Sequence, residues 1–70
     1  MANYKIYFKR KRDKKWKPLE IMGEEFQSSL KGEVEVALQQ MNEVAEKDNT
    51  ETLVKVKKGN KIIKRLKLPR

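Results

Sequence analysis

From Tyr4 to Phe8 hydrophobic and polar positions alternate, with Tyr4, Ile6 and Phe8 on one side and Lys5, Tyr7 and Lys9 on the other. A two-residue period is that of a strand with one buried face, and it predicts a strand over residues 3–11. Arg12-Asp13-Lys14-Lys15 reads as a polar turn and Trp16–Met22 as a returning strand. Pro18 confines that second strand to an edge or a bulge, because proline has no N–H to give to a ladder. With Asp13-Lys14 as a two-residue turn, Phe8 sits opposite Leu19 and Ile6 opposite Ile21, which places all four on one face.

Gly23-Glu24-Glu25 breaks this pattern, and the period then changes from two to between three and four. Phe26, Leu30, Val34, Ala37, Leu38, Met41, Val44 and Ala45 form one apolar stripe, with Glu33, Glu35, Gln40, Glu43 and Glu46 mostly outside it. The stripe predicts a helix over about 29–47. Gly32 costs about 1 kcal/mol against alanine inside a helix, which sets the start near Ser29, whose hydroxyl can cap free amides. Lys47-Asp48-Asn49-Thr50 ends it, since Asp and Asn favour turns.

Residues 52–68 read as a second hairpin turning at Gly59-Asn60. A strict two-residue turn pairs Val56 with Ile63. A three-residue loop with a bulge pairs Val56 with Ile62 and Val54 with Lys64 instead. The second register is preferred because it gathers Val54, Val56, Ile62 and Leu66 on one face and Lys55, Lys57, Lys61, Arg65 and Lys67 on the other. Lys64 is then an edge residue whose stem can lie along the apolar side. The expected fold is α+β in the order β-β-α-β-β, an antiparallel sheet of two hairpins with one helix packed on one face. The chain is read as one small domain, residues 1–70, comprising hairpin 3–22, helix about 29–47, hairpin 52–68 and a tail at 69–70.

Composition narrows the chemistry. Seventy residues with 37% hydrophobic and 40% charged side chains allow one thin core and no second domain. There is no Cys and no His, which removes disulfides, thiolate metal sites, the commonest metal ligand and the base that titrates nearest neutrality. No Gly-x-x-x-x-Gly-Lys-Ser/Thr pattern occurs, so Gly59-Asn60 is a turn and no phosphate-binding glycine loop. Neither an enzyme nor a cofactor or metal is expected. The start, Met1-Ala2-Asn3-Tyr4, has no apolar run of the signal-peptide kind, and no stretch has the length to cross a bilayer, so a soluble, cytoplasmic protein is expected.

Charge falls into three blocks. Residues 1–18 carry eight Lys/Arg against Asp13, a net +7; residues 19–51 carry a net −7; residues 52–70 carry eight Lys/Arg and no acid, a net +8. Two basic ends around an acidic middle suggest a folded object with a positive and a negative side, and a polyanionic partner for the first. In the expected fold the sheet face away from the helix carries Lys5, Tyr7, Lys9 and Lys11, then Trp16, then Lys55, Lys57, Lys61, Arg65 and Lys67. The first hairpin adds a basic loop of Lys9, Arg10, Lys11, Arg12, Lys14 and Lys15. Rings among lysines suit nucleic acid, because bases stack on rings while ammonium groups neutralise phosphates. The sequence leaves Trp16 divided between core and open face.

The same lysines could dock an acidic protein surface, as a small inhibitor or adaptor would, or keep sheet edges soluble. A membrane surface is the wrong partner for a helix whose polar face is acidic. DNA or RNA, one strand or two, and monomer or homodimer stay open. The chain lacks the aromatic signature segments of the common RNA-recognition sheet domain, and its element order differs from that domain and from the double-stranded-RNA-binding fold. In size and lysine-rich style it resembles small proteins of bacterial phages and mobile elements.

Overall fold

The computed structural model describes residues 3–70; Met1 and Ala2, with which the segment compared to a signal peptide begins, lie outside the described residues. The chain forms β1 (Tyr4–Arg10), β2 (Lys17–Pro18), β3 (Glu20–Ile21), β4 (Glu24–Glu25), β5 (Gln27–Ser28), α1 (Lys31–Asp48), β6 (Thr52–Lys58) and β7 (Lys61–Leu68). It is an α+β fold. An antiparallel sheet has the order β2-β1-β6-β7, with β5 also paired to β1, and α1 covers one face. The longest uninterrupted ladder joins β1 to β6, with Ile6 opposite Val56 and Phe8 opposite Val54. Gly59 N–H extends it by donating to the Asn3 carbonyl at 3.3 Å.

The second strand differs from its expectation. It pairs with β1 two residues out of the expected register, with Tyr7 opposite Pro18 and Phe8 opposite Lys17. Leu19 N–H then donates to the Ile6 carbonyl at 2.8 Å, and the chain leaves the sheet. It makes a separate hairpin, β3–β4, and returns as β5 with Gln27 opposite Lys5 and Ser28 opposite Tyr4. Met22 (φ 55°) and Gly23 (φ 83°) form its tight turn, both left-handed, a conformation that suits glycine and costs a side-chain-bearing residue. Ile21 therefore does not face Ile6; it is 44% exposed on the excursion, and Met22 is 98% exposed at its tip.

The last hairpin also departs from the preferred register. Lys58 faces Lys61 across a two-residue Gly59-Asn60 turn and Lys57 faces Ile62; after a bulge at Ile63, Val56 faces Lys64, Val54 faces Leu66 and Thr52 faces Leu68. Glycine at the first turn position, with φ 63°, is what such a turn asks for. Without the extra residue, Val54 would face Arg65 and the cations would turn towards the helix. The bulge exchanges the two faces midway along β7, which returns Leu66 and Leu68 to the core and sends Ile62 to the open side.

The core is Ile6, Val54, Val56 and Leu68 from the sheet against Val34, Ala37, Leu38 and Ala45 from the helix. Leu68 was not among the expected core residues and is fully buried. The helix starts two residues later than expected, with Leu30 at the N-cap and no side chain capping it. Ser28, not Ser29, supplies the local hydroxyl: its Oγ accepts from Leu30 N–H at 3.0 Å and donates to the Leu30 carbonyl at 3.4 Å. Phe26 and Leu30 fall outside the helical stripe: Phe26 packs from the β4–β5 link, and Leu30 is 58% exposed. At the other end Asn49 is left-handed; its N–H donates to the Glu46 carbonyl and that of Thr50 to Ala45, the paired closure that ends many helices.

Candidate functional site

Residues directly opposite in an antiparallel ladder point to the same side of the sheet, so the register sets out the uncovered face as a grid. One row reads Gln27, Lys5, Lys57, Ile62. The next reads Pro18, Tyr7, Lys55, Arg65, and the third Lys9, Leu53, Lys67. Six of these eleven positions are cations. The two acids that reach the face do so at opposite corners: Glu25 lies 3.9 Å from Lys5, and Glu51 3.0 Å from Lys67. Both pairs are exposed, so each holds its lysine only weakly.

Lysines and rings interlock on this face. The Lys55 ammonium lies 4.4 Å from the Trp16 ring centroid and 5.9 Å from that of Tyr7, and Lys57 lies 5.4 Å from Tyr7. Trp16 is 38% exposed and belongs to the surface: with Leu53, Lys55 and Arg65 it walls a depression of about 310 Å³ on the open side. Desolvation, then repulsion from Lys57 and Arg65, pull the Lys55 ammonium below the usual lysine range. Ring faces favour the charged form and oppose that shift in part. A site that disfavours its own cation is one where an added anion relieves repulsion.

The loop between β1 and β2 carries Lys11, Arg12, Lys14 and Lys15, all exposed. Its organiser is the one acid of the first block. The Asp13 carboxylate accepts from Arg10 N–H at 3.2 Å and lies 3.7 Å from the Lys17 ammonium, while Asp13 N–H donates to the Arg10 carbonyl at 2.9 Å. In the sequence Asp13 reads as a turn residue only; its spacing of three from Arg10 and four from Lys17 is the signal of the wider role.

Lys5, Tyr7, Lys9, Lys55, Lys57, Arg65 and Lys67 thus share the open face with Trp16, as the alternation anticipated. Two expected members of the face, and one cation expected in the loop, stand elsewhere. Lys61 faces Lys58 on the helix side of the sheet, because the exchange of faces occurs beyond it. Lys11 lies past the end of β1, in the loop. Arg10 faces Thr52 on the helix side and lines an apolar groove of about 300 Å³ with Phe8, Leu19, Met41 and Val44. Leu53 and Ile62 are additions, apolar positions set among the cations.

The opposite side of the molecule is acidic, with Glu33, Glu43 and Glu46 exposed on α1 and Glu35 3.5 Å from Lys64. Among the described residues no group of three or more acidic, His or Cys side chains is placed to hold a metal, and no helix is long and apolar enough to cross a membrane. Comparison with models of protein families, with curated proteins and with solved structures finds no match.

Proposed function

We propose that this protein binds nucleic acid through its open sheet face and the β1–β2 loop, as a non-catalytic cytoplasmic binding protein. The observation that carries the reading is the three-row grid, in which Lys5, Lys9, Lys55, Lys57, Arg65 and Lys67 stand on one surface with acids only at two corners. The exposed loop cations Lys11, Arg12, Lys14 and Lys15 lie beyond the Lys9 end of that surface. Such a surface gains affinity by releasing counterions from a phosphate chain, and the acidic helix disfavours approach from behind.

Trp16 is the single tryptophan and its ring lies against Lys55 of the grid, so its fluorescence reports occupancy. Titration with single-stranded DNA, duplex DNA and RNA at two salt concentrations is expected to give saturable changes with a steep salt slope. Lys57→Glu should weaken binding at least about tenfold, the scale of a lost and reversed phosphate contact. Absence of binding by all three near physiological salt would overturn the reading. A second reading, docking on an acidic protein surface, draws on Leu53 and Ile62, since apolar positions among cations suit a protein interface. It predicts one tight protein partner and nucleic-acid binding that salt removes completely.

A further inference from the structure

We infer that the open face is a cradle for the backbone of duplex nucleic acid, in which Tyr7 and Trp16 position lysines and do not stack bases; this rests on the nucleic-acid reading above. A stacking platform offers a bare ring face to a base. Here the Lys55 ammonium stands 4.4 Å from the Trp16 centroid, and Tyr7 has Lys57 at 5.4 Å and Lys55 at 5.9 Å. For a base to stack on these faces, the Lys55 and Lys57 ammonium groups must first leave their rings, forfeiting a cation–π contact. A phosphate requires no such displacement: it meets Lys55, Lys57 and Arg65 where they stand, and relieves the repulsion among them. Leu53 and Trp16, beside Lys55 and Arg65 in the depression, offer apolar contact of the kind a sugar accepts.

Spacing agrees with this choice. Rows on one face of a strand repeat every two residues, about 6.7 Å. Phosphates of one duplex strand advance about 3.4 Å per step along the axis, so alternate phosphates recur about every 6.8 Å. Duplex also carries the higher charge density, so six phosphate contacts yield a salt slope of roughly −5 on duplex and roughly −4 on a single strand. Without stacking, a single strand has nothing to set against that advantage.

The test uses three labelled ligands of equal length, a DNA duplex, one of its strands and an abasic version of that strand, followed by anisotropy at several salt concentrations. With the native protein, duplex is expected to bind at least about fivefold tighter than the single strand, and the abasic strand within about twofold of its base-bearing counterpart. Lys55→Gln should make the duplex salt slope shallower by about one. Trp16→Leu, which keeps an apolar side chain in the depression and loosens Lys55, should weaken all three ligands by the same factor, about two. Tighter binding of the single strand, or an abasic strand weaker by the roughly five- to 150-fold that one stacked base is worth, would overturn the inference while leaving the nucleic-acid reading intact. Failure of all three to bind removes that reading and the inference with it.

Discussion

Lys55 is the side chain on which the open face converges. It stands opposite Tyr7 on one neighbour and Arg65 on the other, and its ammonium reaches Trp16. Its charged form is disfavoured by desolvation, then by Lys57 and Arg65, so its folded pKa lies below the unfolded value near 10.5. The sign of the pH dependence follows. Below the lowered value Lys55 is charged in both states, and desolvation and repulsion act against the folded state in full; as pH rises from there towards 10.5 the folded chain releases the proton first and the cost disappears. Lys55→Met, which keeps the stem and removes the charge, is expected to raise the denaturation midpoint at neutral pH. The gain should shrink as pH approaches 10.5, measured by urea titration across that range. A gain that does not change with pH would assign the effect to packing.

Among the elements, α1 offers the clearest lever. Gly32 lies in its first turn with no positive φ, and a Cβ built there meets nothing within 4 Å. Gly32→Ala should therefore stabilise by about 0.4–1 kcal/mol, mainly by reducing the freedom of the unfolded chain. Thermal melting followed by circular dichroism should show a rise of a few degrees. A fall would mean that the first turn needs glycine for a reason other than space.

Elements also differ in how far the sequence reveals them. The first strand and the helix follow from one-dimensional periods, because Ile6 and Phe8 or Val34, Leu38 and Ala45 repeat at spacings that each element converts into a face. The β3–β4 excursion does not. Its turn is Met22-Gly23, without the Asn or Asp that normally marks a left-handed first position, and Ile21 reads as core until the hairpin carries it away from the sheet. The bulge is hidden for another reason. Ile62 and Ile63 are adjacent and equally apolar, so alternation alone cannot choose between them. The choice is made downstream, where Leu66 and Leu68 bury against Val54 and Thr52. Thus the candidate surface was legible as a set of cations, but the side on which Lys61 and Ile62 stand required the register.

At the scale of the whole molecule, stability rests on few groups. Among the described residues eight form the buried hydrophobic core, and Leu38 is wholly inaccessible. A single core of this size nets about 3–5 kcal/mol, while truncating a buried leucine to alanine costs about 2–5 kcal/mol. Leu38→Ala is therefore expected to leave much of the chain unfolded at 37 °C, with loss of dispersed NMR signals. Val36→Ala, at a helix position 59% exposed, should shift stability by less than about 0.5 kcal/mol.

The separation of charge between sheet and helix has a consequence in time as well as in affinity. A body positive on one broad side and negative on the other experiences a torque in the field of a distant polyanion, before any contact forms. Should its partner be a polyanion, it would arrive already turned, and added salt should slow association more than it hastens departure, read as a fall in the on-rate with little change in the lifetime of the bound state.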